Sequence, residues 1–227
     1  MPTLGNHDDG VITGGVELDL TIPLTIGAGS NRLLVVATSW YVGSSTTVGV
    51  TYDGTPLDLG VRLGTWASGW DGELWYMVNP PTGTADVVVT WSQPPFGGAV
   101  ASEWTGVNQA TPIGDTDSAA EGSADQILSL TLTTTSGDTG VSGIGYWDNN
   151  TIPTKGASDN VIDTPTPVNE EVVCGSSYQN ASGASVTMSW DPSAGAVTGP
   201  MTAMVLKDAA AGGGPAMNLV YRSIHTA

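Results

Sequence analysis

Two glutamates beside tryptophans are the residues of this chain best suited to acid–base chemistry. Glu73 occurs in DGELWY and Glu103 in ASEWTG, and both segments have the composition of strands. Cleavage of a glycosidic bond requires one carboxyl group as acid and another as base or nucleophile, which this pair could supply. Because side chains alternate along a strand, we expect each glutamate to face away from its neighbouring tryptophan and one of the two to be solvated. A glycosidase is therefore an outlying hypothesis.

The sequence contains few of the residues that nucleophilic catalysis requires. The two histidines, His7 and His225, lie in terminal segments, and the single cysteine, Cys174, lies in the strand-like segment EVVCGSSY. A catalytic serine or cysteine needs a histidine within hydrogen-bonding reach, and a zinc site needs clustered His and Cys. A single cysteine also excludes an intrachain disulfide. We therefore predict that the chain has no catalytic residues and is not an enzyme.

Aspartates in predicted loops are the remaining residues that could bind a metal ion. Asp71, Asp115, Asp117 and Asp148 lie in such loops, where carboxylates and backbone carbonyls together suit Ca²⁺. Their spacing does not follow the EF-hand or another calcium-binding repeat. A structural cation stays an alternative, but we assign no metal ligand and predict no cofactor.

The tryptophans are the side chains most suited to binding, because flat aromatic faces stack on sugar rings and fill interfaces. The chain contains eight. Trp66 and Trp70 lie in the Gly-rich segment GTWASGWDGE, and Trp147 lies near a strand end in GYWDNN. We predict that these three are the candidate glycan-binding residues. The others lie within predicted strands and are expected to pack in the core: Trp40, Trp75, Trp91, Trp104 and Trp190.

The charge of the chain excludes two classes of partner. Its 227 residues include only 5 Lys and Arg against 22 Asp and Glu, which gives a formal net charge of −17. Binding to nucleic acid or to anionic lipid requires clustered basic side chains, so neither is expected. No apolar stretch has the length of a membrane span, and the first residues lack the pattern of a secretory signal. Acidity of this degree favours solubility.

The apolar pattern predicts an all-β fold. Residues 16–26, VELDLTIPLTI, alternate between apolar and polar side chains, which is typical of a strand with one buried face, and Pro23 favours an edge position. RLLVVATSWYV indicates a strand buried on both faces, and Asp53-Gly54 predicts a hairpin turn. About ten to twelve short strands separated by Gly- and Pro-rich turns indicate a two-sheet β-sandwich, jelly-roll-like in type.

The two ends of the chain differ from this domain. Residues 1–15 are interpreted as an N-terminal arm, 16–208 as the β-sandwich and 209–216, AAAGGGPA, as a flexible linker. Residues 217–227, MNLVYRSIHTA, combine apolar and basic side chains without an acid and could add a strand to a neighbour's sheet or fill a groove. A disordered end and a strand that folds back on its own domain are the alternatives. The predicted docking residues are Met217, Leu219, Val220, Tyr221, Arg222 and Ile224.

Several segments carry a resemblance to a known module. NRLLVV, YDGTPL, NPPTGTADVVV and TGVNQATPIG, within residues 16–208, resemble a recurring β-sandwich module of bacterial surface or secreted proteins and of phage structural proteins. The resemblance implies a non-catalytic, jelly-roll-like display domain. This chain departs from the secreted examples because it lacks a signal peptide and ends in the linker and docking segment, and these departures favour a virion part.

Two functions follow as expectations. The first is a non-enzymatic phage virion protein, either a capsid decoration or a tail-associated protein, that is made in the host cytoplasm, lies on the virion surface and docks through residues 217–227. Its partners would be a major capsid or tail protein and further copies of itself. The alternative is an extracellular carbohydrate-binding module that uses Trp66, Trp70 and Trp147 on host-surface glycans.

Overall fold

The computed structural model describes residues 1–13, 16–41, 46–63, 69–120, 127–147, 153–163, 172–191 and 197–211. These residues form seventeen β-strands in four antiparallel sheets, and one short 3-10 helix at Ala209–Ala211. The predicted all-β class and β-sandwich architecture are confirmed. The described part of the chain contains no helix with the length and hydrophobicity of a membrane span.

The first nine strands form the N-terminal roll. Its inner sheet has the order β1-β9-β3-β7-β6 and its outer sheet the order β2-β8-β4-β5. The pairs β1–β9, β2–β8, β3–β7 and β4–β5 are nested, which is the pairing of a jelly roll. The strands are β1 (Thr3–Thr13), β2 (Asp19–Ile26), β3 (Leu33–Tyr41), β4 (Thr47–Tyr52), β5 (Thr55–Pro56), β6 (Asp58–Leu63), β7 (Trp70–Val78), β8 (Gly83–Trp91) and β9 (Phe96–Thr105).

The remaining strands form a C-terminal roll with the same strand order. Its inner sheet is β10-β17-β12-β15-β14 and its outer sheet is β11-β16-β13. The strands are β10 (Ile113–Ala119), β11 (Leu128–Thr133), β12 (Thr139–Trp147), β13 (Thr154–Lys155), β14 (Asn160–Asp163), β15 (Val172–Asn180), β16 (Ser185–Asp191) and β17 (Val197–Leu206). Although the sequence shows no obvious repeat, the chain therefore forms the same topology twice.

The two rolls stack to give four layers with three cores. The first core fills the N-terminal roll and joins Ile22 and Val87 of its outer sheet to Val36 of its inner sheet. The second lies between the two inner sheets, and the third fills the C-terminal roll with residues such as Leu132 and Ile144. The middle core explains why β3 is buried along both faces, as its continuous apolar sequence predicts.

Small residues allow the two inner sheets to approach closely. A Cβ on Gly143 would lie 3.0 Å from the Cβ of Ala37, and a Cβ on Gly145 would overlap the Ser39 hydroxyl. A Cβ on Gly72 would lie 2.9 Å from Pro200 Cγ. Because larger side chains at these positions would force the sheets apart, the contact between the rolls depends on β12 and β7 being locally glycine.

Three expectations from the sequence need correction. The structure has more strands and sheets than the ten to twelve strands in two sheets that were expected. Residues 1–15, expected to form an arm, contain β1, which pairs with β9 along the inner sheet. Val16 and Leu18, expected on the buried side of a strand, precede β2 and are 91% and 41% exposed. The missed strands β1, β10, β13 and β14 are short or polar edge strands, which lack the apolar alternation used for detection.

Candidate functional site

A charged cluster lies inside one end of the N-terminal roll. The Arg62 guanidinium contacts the Asp71 carboxylate through Nη2 (3.1 Å) and the Glu73 carboxylate through Nε (3.2 Å). The Trp75 indole N–H donates to Glu73 Oε2 at 2.7 Å. Asp71 and Glu73 are 2% and 1% exposed, so two acids share one cation in a buried place. This arrangement is called the β7 acid cluster below: Arg62, Asp71, Glu73 and Trp75.

The strand register explains why these residues meet. Asp71, Glu73 and Trp75 alternate along β7 and therefore lie on the same face of the inner sheet. Arg62 is the β6 residue directly opposite Glu73. Trp75 packs on the core between the inner and outer sheets, so this face points into the interior of the N-terminal roll.

Burial dominates the protonation of the cluster. Desolvation raises the pKa of Glu73 from 4.5 to about 7, although hydrogen bonds from Trp75 and Thr47 and the Arg62 charge act to lower it. The charge of Asp71 raises the Glu73 pKa further. Glu73 can therefore gain or lose a proton near neutral pH, which is a property more common at functional sites than in ordinary cores.

Two further polar atoms in this corner lack a hydrogen-bond partner within the described part of the chain. They are the Thr38 hydroxyl and the Trp91 indole N–H, and both residues are at most 2% exposed. Thr38 lies directly opposite Glu73 in the β3–β7 register. Trp91 contacts Trp40 edge to face at 6.3 Å, and Trp40 lies opposite Asp71. The corner therefore combines excess acid with unmet hydrogen-bonding capacity, which is costly in a core.

An exposed apolar rim lies beside the cluster. Val16, Leu18 and Val48 are 91%, 41% and 67% exposed. The Leu18 carbonyl accepts the Trp91 backbone N–H at 2.9 Å, and Val48 follows Thr47, which pairs with Trp91. The rim and the cluster thus meet around Trp91. Exposed apolar groups next to buried charge favour a binding surface over a purely structural end of the roll.

Among the residues that the structure describes, the equivalent corner of the C-terminal roll has no such cluster. Leu33 and Thr139 begin β3 and β12, so Thr38 corresponds to Ile144, and the residue opposite Ile144 is Gly175 where the N-terminal roll has Glu73. Trp190 occupies the place of Trp91, and its indole N–H donates to Ser142 Oγ at 3.1 Å. The fold itself therefore does not require charge at this position.

The expected pairing of Glu73 with Glu103 is not found. Glu73 lies opposite Thr38 and Glu103 opposite Leu34, four residues away along β3. That separation is about 13 Å along the strand direction alone, whereas the two carboxyl groups of glycosidases are about 5 to 9.5 Å apart. The expectation of a solvated glutamate is also wrong, because Glu103 is only 3% exposed. Trp75 is two residues from Glu73 and therefore shares its face rather than opposing it.

Glu103 has a structural role instead. Its carboxylate accepts the backbone N–H of Gly27 at 2.8 Å and both the backbone and side-chain N–H groups of Asn6 at 3.2 and 3.1 Å. These bonds join the start of β1 to the end of β2. A carboxylate satisfied by three N–H donors is well placed to hold two segments together.

The three candidate glycan-binding tryptophans are not brought together by the described residues. Trp70 is only 5% exposed, packs against Tyr41 at 5.3 Å and leaves no room for a Cβ on Gly199, so its expected exposure is wrong. Trp66 lies outside the described residues, and so does the side chain of Trp147, whose backbone ends β12. Trp40, Trp91, Trp104 and Trp190 are core residues as expected, and Trp75 is partly buried.

The remaining candidate residues fall in different places. The docking residues at 217–224 and His225 lie outside the described residues. His7 is exposed on β1, and Cys174 is fully buried, where desolvation raises the pKa of its thiol. Within the described ranges no group of three or more His, Cys, Asp or Glu side chains is arranged to hold a metal ion. Asp71 is buried, whereas Asp115 and Asp117 are exposed on β10, and Asp148 is outside the described residues.

Comparisons of the chain with protein-family models, with curated proteins and with solved structures find no match. The sheet architecture supports the resemblance carried by NRLLVV, YDGTPL and the related segments as far as a β-sandwich fold, and no match supports the specific module.

Part of the cluster was detectable from sequence. DGELW places two acids and a tryptophan at alternate positions, which predicts a shared face. The contributions of Arg62, Thr38 and Trp91 depend on long-range register, which sequence spacing does not reveal.

Proposed function

We propose that the chain is a non-enzymatic structural protein of a phage virion, a capsid decoration or tail-associated protein, that displays its two rolls outward and docks through residues 217–227. The observation that supports this proposal is the distribution of charge. Each described Lys and Arg is partly buried and bonded within the body, whereas many of the described acids face solvent. The acidic body is thus unsuited to adhere to other copies of itself, and we assign docking to the C-terminal segment.

The contacts of the basic side chains make this explicit. Arg32 donates to the carbonyls of Pro80 and Gly29 and to the Asn79 side chain, at 3.0, 2.9 and 2.7 Å. Arg62 is held by the β7 acid cluster, Lys155 donates to the Gly156 carbonyl and Lys207 pairs with Asp138 at 2.8 Å. All four side chains are partly buried, whereas these acids are exposed: Asp8, Glu17, Asp19, Asp53, Asp58, Asp86, Asp115, Asp117 and Asp191.

The C-terminal segment has the opposite character. Residues 217–227 contain Arg222 and His225, several apolar side chains and no acid. Identical acidic bodies repel one another, so they pack on a shared lattice only if a separate contact overcomes that repulsion. A short apolar and basic segment provides such a contact, and repeated copies on a lattice gain avidity from it. Closed oligomers form if these contacts meet on a symmetry axis.

Cosedimentation with virus particles that lack this protein tests the proposal. The full-length chain is expected to bind, and Leu219→Asp combined with Tyr221→Asp is expected to abolish binding because it places charge on the apolar docking residues. Val48→Asp adds a charge to an exposed apolar residue of the body and serves as the matched control. Binding that survives the segment variant and is lost with Val48→Asp would instead place docking at the apolar rim. No binding by any form would contradict the virion role.

The second candidate function is carbohydrate binding, favoured by the β7 acid cluster and its apolar rim. Carboxylates, an Arg and indole groups are the side chains that bind sugar hydroxyls and ring faces. The segment 64–68, which contains Trp66, directly follows the strand that carries Arg62. Glycan-dependent quenching of Trp fluorescence that is lost in Trp66→Ala would support this function. Buried Trp70 offers the comparison, since Trp70→Ala should lower stability in the absence of any glycan; a glycan panel without any response would remove the candidate.

A further inference from the structure

The edges of the four sheets differ in how they are protected. An edge strand exposes unpaired N–H and C=O groups, and proteins usually block such edges with charged residues or proline. Seven of the eight edge strands in the described residues carry such a group. The blocking residues are Asp8 and Asp9 on β1, Asp58 on β6, Asp115 and Asp117 on β10, Asp163 on β14, Pro23 on β2, Pro56 on β5 and Lys155 on β13.

The eighth edge, β11, carries no blocking residue. Its sequence is LSLTLT, with Leu128, Leu130 and Leu132 buried and the intervening Ser and Thr exposed. Ile127, immediately before it, is 61% exposed. A short β-prone strand without charge or proline at a sheet edge is the type of surface that accepts an added strand.

The backbone groups that face the open side of β11 can be identified. Thr133 donates its backbone N–H to the Asp115 carboxylate at 2.7 Å, away from β16, so alternate residues direct their N–H and C=O groups outward. Ser129 and Thr131 are the next such residues, and their backbone groups have no partner in the described part of the chain. The Asp115 carboxylate thus satisfies the edge at its C-terminal end, at Thr133, and leaves the edge from Ile127 to Leu132 without a partner strand among the described residues.

The last described strand, β17, ends close to this edge. The Asp138 carboxylate accepts the backbone N–H of Asp208 at 2.9 Å and that of Thr135 at 2.9 Å, so the end of β17 is one carboxylate away from the residues that follow β11. The C-terminal end of β11 lies at this carboxylate. A chain that leaves the end of β17 here and continues along the edge of β11 therefore runs antiparallel to β11. Ala209–Ala211 form the 3-10 helix, and residues 212–216 that follow span at most about 18 Å when extended, which is sufficient to reach the nearby end of β11.

Charge also favours this segment as the occupant. Asp115 and Asp117 are exposed on β10, which packs beside β11. Residues 217–227 offer Arg222 and His225 without an acid, which complements these aspartates, whereas a second acidic body would be repelled.

We propose that residues 217–227 add to the open edge of β11 in the same molecule as an antiparallel strand. The segment then covers Ile127 and satisfies the backbone groups of Ser129 and Thr131. Exchange of the segment onto β11 of a neighbouring copy gives an oligomer without any new type of contact. The inference concerns the isolated protein, before the segment meets any partner, and does not depend on the virion assignment.

Amide hydrogen exchange on the full-length chain tests the inference. In the wild-type chain, alternate amides of residues 217–227 should exchange at least about tenfold more slowly than in an unfolded peptide. Thr131→Pro removes an outward N–H from β11 and should abolish this protection. Thr131→Val keeps the N–H, loses only the hydroxyl contact with Thr187, and should retain the protection.

A variant of the segment guards against an effect on folding. Tyr221→Pro leaves the body unchanged and should also remove protection from the segment, while the amides of β16 remain protected. Exchange of 217–227 at the rate of an unfolded peptide in the wild-type chain would overturn the proposal, as would protection unaffected by Thr131→Pro in a folded body. Protection that grows with protein concentration would overturn its intramolecular form. Loss of particle binding with intact segment protection would contradict the virion role alone.

Discussion

Two buried carboxylates, one in each roll, behave in opposite ways. Asp138 of the C-terminal roll is fully buried and accepts Lys207 Nζ at 2.8 Å, the Asp208 N–H at 2.9 Å and both the N–H and the hydroxyl of Thr135 at 2.9 and 2.8 Å. Burial acts to raise the pKa of Asp138, but these bonds outweigh it and hold the pKa below its usual range. Glu73 of the N-terminal roll is equally buried, yet its pKa is raised to about 7.

The number of donors explains the difference. Glu73 has the Trp75 indole N–H and the Thr47 side chain and shares Arg62 with Asp71, which is fewer donors than Asp138 has, so its ionised form is less well stabilised. A buried charge is stable only when its hydrogen-bonding capacity is met, as that of Asp138 is. The C-terminal roll thus uses its acid to close the end of the fold, whereas the N-terminal roll keeps an acid that the fold does not need. Positions of the second kind are those expected at binding sites.

The largest expected effect is a difference between two conservative substitutions. Asp138→Asn should lower the free energy of unfolding by about 3 kcal/mol at pH 7, because it removes a carboxylate that Lys207 and several N–H groups require. Glu73→Gln should change it by less than about 1 kcal/mol, because Glu73 is half protonated at that pH and an amide can still accept the Trp75 N–H. Urea unfolding of both variants measures the contrast. Equal costs would mean that Glu73 is a structural acid like Asp138.

The dependence of stability on pH should follow Glu73. A folded-state pKa raised above the unfolded value of 4.5 means that the native state binds the extra proton between those values, so stability is greatest at low pH and falls as pH rises to about 7. A shift of this size corresponds to about 3 kcal/mol between pH 4.5 and 8. Asp138 acts in the opposite direction, but its contribution is lost only below its usual pKa of 3.8, so the two windows do not overlap.

Variants at three acids separate the contributions to this slope. Glu73→Gln should flatten the fall in stability, whereas Glu17→Gln, at an exposed position, should leave it unchanged. Burial and the neighbouring Asp163 raise the pKa of Asp9 to about 6 at the contact of β1 with β14. Asp9→Asn should therefore alter only the part of the curve below about pH 6. Urea unfolding measured from pH 4.5 to 8 tests all three, and a full slope in Glu73→Gln would show that burial at β7 is not its cause.

The contrast between the rolls also shows what the sequence could predict. The alternation in β2 and β11 and the continuous apolar run in β3 are local signals, and the strands they predict are present. The polar strands β1 and β10 gave no such signal. They are strands because their backbones pair with β9 and β17, and not because they bury an apolar face. The repetition of one topology was invisible for the same reason: Glu73 and Gly175 occupy equivalent places but share no chemistry, and only the register relates them.

The smallest expected effect concerns two tryptophans at equivalent places, Trp91 at the end of β8 and Trp190 one residue before the end of β16. Trp91 and Trp190 are both buried, but only the Trp190 indole N–H has a hydrogen-bond partner, Ser142, among the described residues. At either position, replacement of Trp by Phe removes the indole N–H and the same side-chain volume from the core. Trp190→Phe should therefore cost about 1 kcal/mol more than Trp91→Phe in urea unfolding, because one loses a hydrogen bond and the other loses an unsatisfied donor.

Ser142→Ala completes the test of the tryptophan pair. In the Trp190→Phe background it should cost less than in the wild-type chain, since the bond between the two side chains is already absent, whereas its cost should not change in the Trp91→Phe background. Equal costs for the two Phe variants would mean that a bound group satisfies Trp91 in solution. That group would accept the Trp91 indole N–H next to Thr38 and the β7 acid cluster. The corner would then be a binding site because it holds a bound group, and not only because its donors lack partners.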